Sequence, residues 1–118
     1  MTVVYYDYVK PRYSRKQVDR SGSVIRDNEI SLVEKSDLEV VHNWRSSMEV
    51  PLLKAYNLLL DADLQSVVIT KRLKRIESIK AKLCRDDELK LSKMQDIAGC
   101  RVICSSINDV YDYRDLRR

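Results

Sequence analysis

The stretch that decides the fold is Arg72-Leu-Lys-Arg-Ile-Glu-Ser-Ile-Lys-Ala-Lys82, followed further along the chain by Asp96-Ile-Ala-Gly-Cys-Arg101. The spacing of the first segment predicts a short helix rich in positive charge. The second segment offers a carboxylate and an arginine at the edge of a predicted strand. Ammonium and guanidinium groups bind phosphate oxygens, and a carboxylate binds Mg²⁺. The two segments together therefore suit a magnesium-bound nucleoside triphosphate.

The predicted helix has two different sides. At about 100° per residue, its apolar residues fall on one side and predict a core face, which consists of Ile76, Ile79 and Leu83. Lys74, Ser78 and Lys82 are spaced i, i+4 and i+8, and they form a polar stripe on the opposite side. Packing and ligand binding therefore do not compete for the same side chains.

Positive charge is concentrated in one part of the chain. Residues 71–85 contain seven basic side chains and one acidic residue, Glu77, whereas the net charge of the whole chain is +4. The segment therefore carries +6 and the remainder sums to −2. A local basic patch indicates an anionic ligand more than general solubility. A solvated helix face without a ligand is the alternative that charge alone leaves open.

The amino-terminal part predicts a helix that begins after Pro11. Ser14 is a candidate N-cap, and Gln17 three residues later completes a weak capping box. The helix should run to about Val24 or Ile25, with Gly22 weakening its end.

Two more helices are predicted before the basic segment. Ser36 or Asp37 should cap the second helix, in which Trp44 belongs to the core. Pro51 suits the first turn of the third helix. The apolar residues of that helix predict a buried stripe, made of Leu52, Leu53, Tyr56, Leu59 and Leu60.

Only one strand is predicted, from Ile97 to Cys104, followed by a closing helix from Ile107 to Arg118. The expected fold class is α+β, in a single domain of four helices, this strand and the closing helix. One strand cannot form a sheet, so partner strands should be missing and Val102 and Ile103 should be exposed.

Composition argues against several classes of protein. The chain contains no run of eighteen apolar residues that could span a membrane, and its first residues lack the pattern of a secretory signal. Cys84, Cys100 and Cys104 lack metal-ligand spacing, which favours reduced thiols in a cytoplasmic protein. A zinc site that also used His42 would have no CxxC or HxxxH spacing, and His42 is interpreted as a surface or packing residue.

The motifs resemble those of the RelA/SpoT-type synthetases, which transfer pyrophosphate from ATP to the 3′-hydroxyl group of GDP or GTP. The matching pieces are Arg72-x-Lys-x-x-x-Ser-Ile-x-x-Lys82 and Asp96-Ile-Ala-Gly-x-Arg-Val102. Residues 10–20 and 43–47 also resemble the helical lead-in of some single-domain members. The resemblance implies a nucleotidyltransferase-like mixed sheet, with residues 1–65 as the lead-in and 66–118 as the ATP-donor half.

The resemblance also implies roles for particular residues. Arg72 and Arg101 resemble the guanidinium pair that stacks on the two sides of adenine. The ligands of the ATP phosphates would be Lys74, Ser78 and Lys82. Asp96 is similar to the carboxylate that holds the catalytic Mg²⁺. Apart from the resemblance, a homo-oligomer is a further possibility, since it would cover the strand edge that Val102 and Ile103 should expose.

The acceptor half of the family pattern is absent from these 118 residues. No Glu-x-Gln sequence and no Gly-Tyr pair occurs, and these are the places where the family carries its catalytic base and its guanine-stacking tyrosine. The chain thus resembles the amino-terminal half of a single-domain synthetase, and we expect little transferase activity from it alone.

Other functions stay open on the sequence. The acceptor of such a synthetase could also be the 3′ end of tRNA, since the absent half would choose it. A non-catalytic module that sequesters ATP or inhibits a complete synthetase is a different class of function, as is a nucleic-acid-binding fragment. Basic residues near the amino terminus could contact RNA or form a solvated helix face, namely Lys10, Arg12, Arg15, Lys16 and Arg20.

Overall fold

Three α-helices precede the first strand in the computed structural model, which describes residues 9–61 and 66–104 together with Tyr111. Within these residues the α-helices are α1 (Arg15–Asp27), α2 (Lys35–Ser46), α3 (Glu49–Asp61) and α4 (Ile76–Arg85). The strands are β1 (Ser66–Leu73) and β2 (Ala98–Cys104), and short 3₁₀ helices cover Ile30–Leu32 and Leu91–Lys93. The predicted α+β class and helical amino-terminal region are confirmed. The predicted closing helix, apart from Tyr111, lies outside the described residues.

Helix α1 begins as predicted and ends later than predicted. The backbone N–H of Gln17 donates to Ser14 Oγ, and the Ser14 N–H donates to Gln17 Oε1, each at 3.2 Å, so the capping box is confirmed. The helix continues to Asp27 because Lys80 of α4 caps its far end. Lys80 Nζ donates to the carbonyl oxygens of Ile25 and Asn28, both at 2.7 Å, and of Arg26 at 3.2 Å.

Gly22 lies inside α1, which continues past its predicted end, and the residue has a packing role there. It lies where Leu91 crosses the helix, and a Cβ atom built on Gly22 would be 2.7 Å from the Leu91 Cβ. Side chains do not approach each other that closely. Glycine therefore allows the segment before β2 to pack directly on α1.

Helix α2 begins without the predicted side-chain cap. Its N-cap residue is Glu34, which makes no capping hydrogen bond through its side chain, so the assignment to Ser36 or Asp37 was wrong. Asp37 lies inside the first turn and accepts a hydrogen bond of 2.8 Å from Ser21 Oγ of α1. The carboxylate thus joins two helices instead of capping one.

Helix α3 packs against both strands. Pro51 is its third residue, inside the first turn as predicted. The stripe expected to be buried is only partly so: Leu52 is buried, but Leu60 is 47% exposed. Lys71 Nζ of β1 lies 5.0 Å from the ring centroid of Tyr56, a cation–π contact between α3 and the sheet.

The prediction of a single strand was wrong. Strand β1 pairs antiparallel with β2, with Leu73 opposite Ala98 and Ile69 opposite Val102. Its sequence, Ser-Val-Val-Ile-Thr-Lys-Arg-Leu, contains the β-branched residues typical of a strand. It was missed because its basic end, Lys71 and Arg72, was assigned to the approach of a helix that in fact begins at Ile76.

The core lies between α1, α2, α4 and the segment that precedes β2. The predicted core face of α4 is confirmed, with Ile76, Ile79 and Leu83 buried. They pack with buried apolar residues of the other elements, among them Val18, Ile25, Val41, Leu91 and Ile97. Trp44 is half-buried at the margin of this core, and its indole N–H makes no hydrogen bond within the described residues.

Candidate functional site

A cleft of about 380 Å³ lies along the antiparallel strand pair β1–β2. Thr70 pairs with Arg101 and Arg72 pairs with Gly99, so these four residues lie on one face of the sheet. The residues that line the cleft are Thr70, Lys71, Arg72, Lys74, Asp96, Gly99, Cys100 and Arg101. Arg72 and Arg101 are diagonal neighbours on this face, and both are exposed.

Gly99 is a neighbour of both arginines on this face of the sheet. It stands directly opposite Arg72, and a Cβ atom built on it would meet nothing within 4 Å. The absence of a side chain here is therefore not required by packing. Its effect is to leave the surface of β2 bare opposite Arg72 and beside Arg101.

Two lysines converge on Asp96 at the end of the cleft. Lys74 Nζ lies 3.0 Å from Asp96 Oδ2, and Lys82 Nζ lies 2.7 Å from Asp96 Oδ1. The side chain of Lys74 is 9% exposed, that of Lys82 33% and that of Asp96 50%. Each carboxylate oxygen thus accepts from one ammonium group while the carboxylate stays open to solvent.

Lys74 reaches this position from a turn and not from the helix. It follows β1 and precedes α4, so the predicted helical stripe of Lys74, Ser78 and Lys82 was wrong for its first member. The Lys74 N–H donates to the carbonyl oxygen of Ile97 at 2.6 Å, which ties the turn to the residue after Asp96. Lys82 comes from α4, so a turn and a helix supply the two ammonium groups.

The two lysines hold Asp96 ionised. The hydrogen bond from Lys82, together with that from Lys74, lowers the pKa of Asp96 to about 2, although partial burial opposes the shift. Basic residues in and beside the cleft still outnumber this carboxylate: they are Lys71, Arg72, Lys74, Lys82 and Arg101. The site therefore has an excess of positive charge, which suits a polyphosphate.

Two other residues of the basic segment differ in their position. Ser78 shares a face of α4 with Lys82 and is half-buried, but it does not line the cleft. Lys80 caps α1 and is therefore part of the framework. Some basic residues of the segment 71–85 thus stabilise the fold, and others line the cleft or lie beside it.

Sequence reasoning missed Arg45 of α2. Arg45 Nε donates to the carbonyl oxygen of Lys74 at 2.7 Å. Nothing in the local sequence indicates this contact, because the two residues lie in different elements and are 29 positions apart. The pairing of Gly99 with Arg72 is also not visible in the sequence, because it requires the register of β1.

Asp96 can hold Mg²⁺ only together with oxygen atoms of a bound ligand and water. In the described part of the chain, no group of three or more His, Cys, Asp or Glu residues could form a metal site. Mg²⁺ is usually held by one or two carboxylates together with phosphate oxygens of the substrate and water. A single carboxylate, half exposed beside a basic cleft, is compatible with an ion that arrives with a polyphosphate.

Residues 71–116 match the family model described as a region found in RelA / SpoT proteins. The resemblance to RelA/SpoT-type synthetases seen in the two motifs is thereby confirmed for this segment, which covers less than half of the chain. The matched segment contains all of the candidate site residues, namely Arg72, Lys74, Ser78, Lys82, Asp96 and Arg101.

Helices α1, α2 and α3 lie outside the matched segment, because all three precede Lys71. No curated protein matches the chain. Among the helices of the described residues, none is both long and apolar enough to cross a membrane.

Proposed function

We propose that the RelA/SpoT region is the ATP-binding half of a pyrophosphokinase that transfers pyrophosphate from ATP to the 3′-hydroxyl group of GDP or GTP. In this proposal residues 66–118 form the donor half and residues 1–65 its helical lead-in. One observation carries it: Lys74 and Lys82 meet at Asp96, beside a cleft lined by two exposed arginines.

Arg72 and Arg101 would hold the adenine ring between them. A guanidinium group is planar and stacks on flat rings. Diagonal neighbours on a sheet lie about 7 to 8 Å apart, roughly twice the contact distance of about 3.5 to 4 Å between stacked atoms. The bare surface over Gly99 would leave room for the ring in this gap.

Lys74, Ser78 and Lys82 would bind the phosphate oxygens. The triphosphate would replace Asp96 as the partner of the two ammonium groups, because it carries more negative charge and more acceptor oxygens. Ser78 would add a hydroxyl donor one turn before Lys82 on α4. Asp96, once released, would hold Mg²⁺ together with the phosphates, and the ion would withdraw electron density from the phosphorus that is attacked.

The reaction would form a bond from the 3′-hydroxyl oxygen to the β-phosphorus of ATP and break the bond from that phosphorus to the oxygen of AMP. AMP leaves with the electron pair, and the hydroxyl proton passes to a base. The family resemblance assigns that base to a Glu-x-Gln glutamate, which these 118 residues do not contain. The residues of this chain would therefore orient ATP and stabilise the charge that develops on AMP.

Binding of Mg·ATP by the 118-residue chain tests the proposal. We expect saturable binding in a calorimetric titration, weakened at least about tenfold by the double substitution Arg72→Ala/Arg101→Ala. The control is Lys35→Met, which removes one positive charge from the exposed start of α2 and should leave the affinity unchanged. A folded chain that shows no saturable binding, or an affinity that the double variant does not change, would overturn the proposal.

A further inference from the structure

The backbone of Lys74 is held from two sides. Its N–H donates to the carbonyl oxygen of Ile97 at 2.6 Å, and its carbonyl oxygen accepts from Arg45 Nε at 2.7 Å. The first bond joins the turn to the residue that follows Asp96. The second joins the same turn to the last turn of α2, an element outside the matched RelA/SpoT segment.

The Lys74 carbonyl has no helical partner to take the place of Arg45. Helix α4 begins at Ile76, and its first backbone hydrogen bond is accepted by Arg75, from the N–H of Ile79 at 2.9 Å. The carbonyl of Lys74 precedes that ladder. Lys74 is among the buried residues, and a buried carbonyl without a donor is costly. Arg45 therefore satisfies a group that neither the strand nor the helix can satisfy.

Fixing this backbone also fixes where the Lys74 ammonium group lies. The side chain is 9% exposed and ends 3.0 Å from Asp96 Oδ2, so it occupies a narrow space with little freedom to adjust. Asp96 is next to Ile97, which accepts the Lys74 N–H. A shift of the turn would therefore move the ammonium group away from the carboxylate that it faces.

We propose that Arg45 is a positioning residue of the donor site: it holds the Lys74 backbone so that the Lys74 ammonium group meets Asp96 in the free protein and the phosphates once ATP is bound. Its effect on ATP rests on the function proposed above, whereas its effect on the Lys74 turn does not. The helical lead-in thus contributes to the site through one guanidinium group without touching the ligand.

The test combines a structural measurement with a binding measurement. Arg45→Met keeps a long side chain and removes the donor, Arg45→Lys keeps the charge and one donor group, and Lys35→Met removes a positive charge from the other end of α2. Amide hydrogen exchange is followed at Lys74, with the amide of Val18 in α1 as the reference for global stability. We expect exchange at Lys74 to rise about tenfold or more in Arg45→Met, to rise less in Arg45→Lys, and to stay unchanged in Lys35→Met, while Val18 changes little.

Mg·ATP affinity is then measured for Arg45→Met, Lys74→Met and the double variant. Because Arg45 acts through Lys74, the double variant should bind Mg·ATP no more weakly than Lys74→Met alone. If the two residues acted independently, the fold-losses in affinity of the two single variants would multiply. Independent, multiplying losses would overturn the proposal, as would an unchanged Lys74 exchange rate. If the unsubstituted chain binds no Mg·ATP, the proposed function fails, and the exchange rates still decide whether Arg45 fixes the turn. If Arg45→Met fails to fold, Arg45→Lys takes its place in both measurements, and the expected rise of the Lys74 exchange rate is then smaller.

Discussion

Lys82 Nζ lies 2.7 Å from Asp96 Oδ1, although one residue belongs to α4 and the other to the segment that leads into β2. The contact joins the two motifs that stand apart in the sequence. Since Lys74 binds the other oxygen of the same carboxylate, any anion that enters the cleft has to compete with Asp96 for two ammonium groups. The predictions for this carboxylate follow from that competition.

Removal of the Asp96 charge should change the metal dependence of ATP binding. In Asp96→Asn the two lysines lose their internal partner, so ATP without a metal ion should bind more tightly than it does to the unsubstituted chain. Added Mg²⁺ should no longer strengthen binding, because the carboxylate ligand is gone. Titrations of both proteins with ATP, in Mg²⁺ and in EDTA, measure the two effects. An equal benefit from Mg²⁺ in both would contradict the assignment of Asp96.

Acid should weaken the fold through the same carboxylate. The pKa of Asp96 is lowered from 3.8 to about 2 by its lysine partners, so the group stabilises the folded state above pH 3.8. That contribution disappears as the pH falls through about 2. Because Asp96 is half exposed, its size should be at most about 1 kcal/mol. Urea unfolding at pH 5 and pH 2 measures the difference in stability between the unsubstituted chain and Asp96→Asn, and this difference should be smaller at pH 2. A difference that stays constant would contradict the stabilising contribution of the Asp96 carboxylate.

Gly22→Ala should destabilise the protein by about 1 to 3 kcal/mol, because the added methyl group would collide with Leu91. The matched control is Gly99→Ala, where the added atom meets nothing within 4 Å and the strand should be as stable or slightly more stable. Chemical denaturation of the two variants gives the comparison. Equal losses from both substitutions would show that the close approach at Gly22 has no energetic weight.

Lys80→Met should cost about 1 to 3 kcal/mol of stability, since it leaves the carbonyl groups at the end of α1 without their charged donor. Lys82→Met is the control on the same helix: it should change the free energy of unfolding much less and reduce Mg·ATP binding instead. Thermal unfolding and calorimetric titration of both variants separate the two roles. Should Lys80→Met unfold at the same temperature as the unsubstituted chain, the capping role would be excluded.

Local signals in the sequence predicted local structure well. Ser14 and Gln17 are three residues apart and form the capping box that their types indicate. Ile76, Ile79 and Leu83 are buried because helical periodicity alone decides which side of α4 meets the core. Family recognition worked for the same reason, since both motifs are short and continuous.

Features that depend on distant contacts were not predictable. Helical periodicity predicted that Lys74 and Lys82 lie on one side of a helix. The two residues do lie close together, but Lys74 is in the turn before α4. Arg45 and Lys80 donate hydrogen bonds to backbone carbonyl groups of other elements. Every residue has such a carbonyl group, so the residue types there do not predict the contact. Strand β1 was missed because charge was given more weight than the β-branched residues before it.

The position of Lys80 has a consequence for chemical modification of this helix. Acylating reagents need access to the amine nitrogen, and the Lys80 nitrogen is enclosed by the three carbonyl oxygens that accept its hydrogen bonds. Acetylation should therefore spare Lys80 and reach Lys82, two residues away, whenever its carboxylate partner is displaced. Acetylation of Lys82 would then remove one ammonium group from beside the cleft and leave the Lys80 cap of α1 in place.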